Sequence, residues 1–188
     1  MTTNSATFTS HLILVTGPSR SGKSEWGETL ALQTGKRVFY VATASSDPTD
    51  AEWLSRIDKH QQRRPQEWTT LLVPVELAKT IRSYCDIDIC LLVDSLGTWV
   101  ANFLEEDSTI WEKNVEELLD TLTEITSTVI FVAEETGWGV VPPYPMGRLF
   151  RDRLGNLVRR LGIISNPVYL VTGGHVLNLS SLGSPLQK

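Results

Sequence analysis

Residues 17–24 read Gly-Pro-Ser-Arg-Ser-Gly-Lys-Ser, and this octapeptide constrains the chain more than any other feature. Its spacing is G-x-x-x-x-G-K-[ST]. It follows the apolar run Leu12-Ile13-Leu14-Val15, which reads as a buried strand by its length and β-branching. It opens a helical stretch over residues 25–34. Strand, glycine turn and helix form the setting in which backbone N–H groups close around phosphate oxygens, with a helix N-terminus behind them. Gly17, Pro18, Ser19, Arg20, Ser21 and Gly22 make the turn. Lys23 is placed to reach the β- and γ-phosphates, and the Ser24 hydroxyl to ligate Mg²⁺. Such a chain binds a nucleoside triphosphate, but the loop does not say what is done with it.

The rest of the sequence repeats the alternation. Val38–Val41, Cys90–Val93, Val129–Val132 and Val168–Val171 are short continuous apolar runs, and Thr69–Val73 is a more polar one suited to a sheet edge. Helical patterns lie between them over 50–63, 76–84, 96–104, 109–126 and 147–161. The segment 50–63 opens on the capping box Thr49-x-x-Glu52. The segment 109–126 sets Ile110, Trp111, Val115, Leu118, Leu119, Leu122 and Ile125 on one stripe and five acids off it. The segment 147–161 carries Arg148, Arg151, Arg153, Arg159 and Arg160, which reads as a solvated or intersubunit face. The alternation predicts an α/β fold with a mostly parallel sheet flanked by helices, in a single domain over 1–188 with loose termini at 1–10 and 181–188. Asp94 ends an apolar strand beside this framework. It reads as an acid that helps hold magnesium, or as the cap of the helix that follows.

Charge and cysteine content narrow the function. Seventeen Lys and Arg against 22 Asp and Glu give a formal charge of -5, which argues against a nucleic-acid coat or a polybasic membrane binder. No apolar run approaches the ~18 residues that span a bilayer. The two cysteines, Cys85 and Cys90, form neither a disulfide framework nor a zinc pattern. The expected setting is cytoplasmic.

The histidines are His11, at a strand start, His175, in a late turn after Gly173-Gly174, and His60. On a helix His60 shares a face with Trp53 and Ile57, and Arg56, Arg63 and Arg64 flank that face. An imidazole beside guanidinium groups suits attack on a phosphate or a grip on one. The other reading is a packed, hydrogen-bonded side chain.

Taken in order, several segments resemble one family. They are Ile13–Gly17 with Arg20–Ser24, then Tyr40-Val41-Ala42-Thr43-Ala44, then Arg56-Ile57-x-x-His60 with Arg64-Pro65-x-x-Trp68. Leu92-Val93-Asp94-Ser95-Leu96 follows with Trp99 and Asn102, then Glu135-x-Gly137-x-Gly139-Val140-Val141-Pro142 and Phe150-Arg151-Asp152-x-x-Gly155. Together they resemble the bifunctional adenosylcobinamide kinase/adenosylcobinamide-phosphate guanylyltransferases of cobalamin biosynthesis, over residues 12 to about 172. The chain departs from that pattern at Glu134, where relatives commonly have Asn. It departs also at Pro142–Pro145, at Val158-Arg159, and at Leu71 or Leu72 in place of an acid.

The resemblance implies a RecA-like P-loop NTPase fold. It implies phosphorylation of adenosylcobinamide by ATP or GTP, and transfer of GMP from GTP to adenosylcobinamide-phosphate through a GMP–histidine intermediate on His60. It assigns nucleotide binding to the loop Gly17–Ser24, to Ala42, Thr43 and Ala44, to Arg63 and Arg64, and to Asp94, with Lys23 catalytic and Mg²⁺ on Ser24 and Asp94. It further implies a homo-oligomer, with a trimer as the expected state. The loop Glu134–Gly147, with Trp138 and Tyr144, either covers the corrinoid or is a structural connection. Two rival functions remain at this level: a P-loop small-molecule kinase with a structural His60, and a non-catalytic nucleotide-dependent switch that uses the arginine-rich helix.

Overall fold

The computed structural model describes residues 11–44 and 64–186. The segment 50–63 predicted as helical, with Trp53, His60 and Arg63, lies outside the described residues. In chain order the elements are β1 (Leu12–Gly17), α1 (Lys23–Gln33), β2 (Arg37–Ala42), β3 (Thr69–Leu72), α2 (Leu77–Ser83), β4 (Ile89–Asp94) and α3 (Leu96–Ala101). They continue with α4 (Ser108–Glu124), β5 (Thr128–Glu134), α5 (Pro145–Ile164), β6 (Val168–Thr172), β7 (His175–Asn178) and α6 (Leu179–Leu182).

The seven strands make one sheet in the order β3-β2-β4-β5-β1-β6-β7. Every pairing is parallel except β6 with β7. The central strands are apolar at consecutive positions because both faces are covered. Ile13, Val15, Val38, Tyr40, Leu92, Ile130 and Val132 pack with Leu30 and Ala31 of α1 on one face. Leu12, Leu14, Phe39, Leu91, Val93, Val129 and Phe131 pack on the other with residues of α2, α3, α4 and α5. Trp99, Phe103 and Trp111 form an aromatic cluster within that second layer. Trp26 and Trp68 are half-buried at the margin of the first layer. β3 is the sheet edge, as its polar sequence predicts.

Four details differ from the sequence reading. His175 begins a strand instead of lying in a turn. Gly173 and Gly174, both at positive φ (58° and 76°), close a tight hairpin that only glycine enters without strain. Ile110 is 41% exposed, because it sits one residue, about 100°, off the buried Trp111-Val115-Leu118-Leu122 line. The stretch read as loose from residue 181 begins inside α6, where the preceding Ser180 hydroxyl accepts from the Val168 amide at 2.9 Å.

The fourth concerns the arginines of α5, which do not form one basic face. Arg160 pairs with Glu112 and Glu116 of α4 at 3.4 and 2.7 Å. Arg153 is buried and donates to the carbonyls of Phe103 and Glu106 at 2.5 and 2.9 Å, with its guanidinium 5.3 Å from the Trp111 ring centre. Those carbonyls belong to the turn that follows α3, and the Phe103 carbonyl also accepts from the Glu106 amide at 3.0 Å. Arg153→Met keeps much of the stem but removes a charged donor from both carbonyls, and is expected to destabilise the fold by roughly 2–3 kcal/mol in urea denaturation.

Both cysteines are free. Cys90 is buried in β4, where burial pushes its thiol up to about 12, and Cys85 is exposed. No helix among the described residues is long and apolar enough to cross a membrane.

Candidate active site at the carboxyl edge of the sheet

The carboxyl ends of β1, β2, β4 and β5 lie side by side, with β5 between the glycine loop and Asp94. Open α/β sheets bind ligands at this edge. Register sets the levels: Gly17 pairs with Glu134, and Asp94 pairs with both Ala42 and Val132.

Gly17 ends β1, and a Cβ there would collide with the Val171 carbonyl oxygen and lie 2.7 Å from Ser21 Oγ. The loop thus starts against the backbone of β6, where only glycine fits. The Gly17 carbonyl accepts from the Glu135 amide at 2.9 Å, which ties the loop to the end of β5. Ser19 and the left-handed Arg20 (φ 59°) are exposed at the tip, and Gly22 at φ 93° delivers the chain into α1. Lys23 is 8% exposed and folds back so that its ammonium donates to the Pro18 carbonyl at 3.3 Å. It therefore arches over the loop interior, where phosphates belong. Ser24 follows in the first turn of α1. Ser21 Oγ is buried with no hydrogen-bond partner among the described residues, an unmet polar group inside the cradle. Unmet hydroxyl, ammonium and turned backbone together fit an anion.

Asp94 does not cap the following helix. Ser95 does, in a reciprocal capping box with Thr98. The Asp94 carboxylate is left for another task, and its Oδ2 accepts from the Tyr40 hydroxyl at 2.9 Å. Burial, with the negative charge of Asp94 second, raises the Tyr40 phenol above its ordinary value and keeps it a donor. Arg64 stands in a bend before Pro65, as that proline dictates, with its guanidinium carbon 3.2 Å from the Tyr40 ring centre.

Ala42, Thr43 and Ala44 leave the end of β2 beside Asp94. Thr43 is fully buried and faces inward. Its hydroxyl donates to the Ser95 carbonyl at 2.6 Å and contacts the Thr98 hydroxyl, while Asn102 donates to its carbonyl at 2.8 Å. The Thr43 side chain therefore braces this edge, and the Ala42 carbonyl accepts from the Val73 amide at 2.8 Å. Glu134 accepts from the Gly97 amide at 2.9 Å, so the acid bridges β5 to α3. The loop beyond it holds Trp138 and Tyr144 at 68% and 75% exposure. Arg151 donates to the Gly137 carbonyl, and Arg148 to those of Pro142 and Pro143.

Gly17–Ser24, Ala42–Ala44, Arg64 and Asp94 thus converge on one edge, while His60 and Arg63 fall outside the described residues. The sequence reading missed Tyr40 as the partner of Asp94. The signal was parity, since Tyr40 lies two residues before Ala42 and on the same face as Asp94, but using it requires the β2–β4 register. For magnesium, the Ser24 hydroxyl and the Asp94 carboxylate are hard oxygen donors of the right class.

Comparison with known proteins places this edge in context. The chain is similar in fold to an ATPase from the type III secretion system of pathogenic bacteria (TM-score 0.54, 13% identity, 86% of this chain and 51% of that one). It is also similar to a Pyrococcus horikoshii OT3 protein (TM-score 0.55, 10% identity, 94% of this chain and 93% of that one). These likenesses show the fold alone. In sequence it is 38% identical over 174 residues to the bifunctional adenosylcobalamin biosynthesis protein CobP of Pseudomonas aeruginosa, covering 92% of this chain and 98% of that protein. It is 31% identical to the corresponding CobU protein of Escherichia coli, over 87% of this chain and 96% of that protein. The family model described as cobinamide kinase / cobinamide phosphate guanyltransferase matches residues 13–179, and the chain with its phosphate loop and strand-end acid belongs to that family.

Proposed function

We propose that the chain phosphorylates adenosylcobinamide with ATP or GTP, and then transfers GMP from GTP to adenosylcobinamide-phosphate by way of a GMP–His60 intermediate, giving adenosylcobinamide-GDP. The observation that carries this reading is the anion-shaped loop under Lys23, two strands from Asp94, in a chain matched by the family over 13–179.

In the kinase step a hydroxyl oxygen of adenosylcobinamide attacks the γ-phosphorus. The bond to the β–γ bridging oxygen breaks, the nucleoside diphosphate leaves, and the hydroxyl proton passes to solvent. Lys23 and the loop amides hold charge that develops on the phosphoryl oxygens, since this reaction depends on positioning and electrostatics. Ser24 and Asp94 would hold the Mg²⁺ that neutralises phosphate charge when bound.

In the second reaction the His60 imidazole attacks the α-phosphorus of GTP and pyrophosphate leaves. A phosphate oxygen of adenosylcobinamide-phosphate then displaces the imidazole, breaking the P–N bond. Dividing the transfer in two implies ping-pong behaviour. Ala42–Ala44, Arg63 and Arg64 line the nucleotide, and the loop with Trp138 and Tyr144 faces the corrinoid. One catalytic domain houses both reactions, in a cytoplasmic homo-oligomer, a trimer, that has no nucleic-acid partner.

The test is incubation with adenosylcobinamide and GTP, with products identified by mass. Both adenosylcobinamide-phosphate and adenosylcobinamide-GDP are expected. The first product alone would leave the simple kinase reading, and neither product would overturn the proposal. The switch reading loses its support, because Arg153 is buried and Arg148, Arg151 and Arg160 are engaged within the chain.

A further inference from the structure

Tyr40 has no place in either reaction as written, yet it occupies an unusual position. It is 3% exposed and projects from β2 onto the α1 face, diagonal to Asp94 across the β2–β4 pairing. Its hydroxyl donates to Asp94 Oδ2 at 2.9 Å. Arg64 lies over its ring at 3.2 Å and donates to the hydroxyl of Thr70, the β3 residue paired with Tyr40, at 3.4 Å. The phenol is thus packed on the α1 side, covered by a guanidinium, and directed at one carboxylate oxygen. With Oδ2 accepting from Tyr40, the carboxylate is anchored at one of its two oxygens. A carboxylate at a strand end without such a partner would rotate freely about its side-chain bonds.

We infer that Tyr40 is a positioning residue for the nucleotide-bound divalent cation, acting through Asp94 by fixing the orientation of its carboxylate. The inference rests on the proposed metal role of Asp94. Partners that orient a metal-binding group typically change metal affinity by about 10–100-fold when removed. Arg64 contributes by confining the ring between itself and the sheet, so the hydroxyl points one way.

The experiment uses the full-length protein with a non-hydrolysable GTP analogue. Mn²⁺ replaces Mg²⁺, and bound ion is measured from the loss of the free-ion electron paramagnetic resonance signal. Tyr40→Phe removes one oxygen atom and keeps the packed ring, so its melting temperature is expected to stay within a few degrees of wild type. Its Mn²⁺ affinity in the nucleotide complex is expected to fall about tenfold. Asp94→Asn also weakens Mn²⁺ binding, and adding Tyr40→Phe to Asp94→Asn is expected to cause no further loss, because the tyrosine acts through that carboxylate. A general packing role would instead give additive losses.

Unchanged Mn²⁺ affinity in Tyr40→Phe, or additivity with Asp94→Asn, overturns the inference and leaves the proposed function standing. Wild-type protein that binds the nucleotide analogue but takes up no Mn²⁺ with it overturns the metal role of Asp94, and this inference with it.

Discussion

Replacing His60 with Ala is expected to abolish the protein-bound label that GTP radioactive at the α-phosphate should leave on the wild-type chain. The label is expected to drop to background, and the rate of GMP transfer to fall by roughly 10⁴-fold or more, as when a covalent nucleophile is deleted. In the wild type it should be acid-labile, as a phosphoramidate is, and adenosylcobinamide-phosphate should discharge it. The neighbouring Lys59 provides a strict comparison. A lysine amine could form the same kind of bond, but lysines are mostly protonated near neutral pH whereas histidines are largely neutral. Lys59→Ala is therefore expected to keep the label. If His60→Ala protein stays labelled, His60 is not the nucleophile. Adenosylcobinamide-phosphate should still be formed by His60→Ala protein, because γ-phosphoryl transfer requires no histidine adduct.

The second large effect concerns Lys23. Lys23→Ala is expected to lower the kinase rate by roughly 10²–10³-fold, the scale of losing one preorganised donor at a developing charge. The ammonium is nearly buried and rests on the Pro18 carbonyl at 3.3 Å, so phosphate binding only has to exchange one acceptor for another. Lys23→Met, which preserves the stem, should fail nearly as badly, and that separates charge from packing. Near-normal adenosylcobinamide-phosphate formation by either variant, followed by mass, would contradict the role of the loop. The outward Arg20, at the loop tip, has no comparable approach to the interior.

What the sequence alone revealed follows from which forces act locally. Leu12–Val15, Cys90–Val93 and Val129–Val132 announce themselves because a strand buried on both faces must be apolar throughout, and the glycine loop is legible because its geometry admits few residue types. The tie from Tyr40 to Asp94 was hidden, since it depends on a register between strands separated by the whole segment from Thr43 to Asp88. Arg153 was misread for a similar reason. Its spacing from Leu157 and Leu161 sets it on the apolar stripe of α5, but its charge argues for solvent, and only the fold supplies the two carbonyls that receive it. β7 escaped notice because Val176-Leu177 is too short an apolar run to read as a strand without its hairpin partner. Thr43 matched a nucleotide-binding segment, while its side chain turns inward to brace α3.

The position of β1 has an implication for synthesis. This strand carries the phosphate loop and is made before both of its sheet neighbours, β5 and β6, which begin at Thr128 and Val168. The Val171 backbone that walls Gly17 is made long after the loop it supports. A nascent chain therefore emerges with its nucleotide-gripping sequence complete but its pocket unbuilt. Nucleotide capture becomes a report that distant segments of the polypeptide have met, and the substrate can stabilise only molecules in which the pocket has formed.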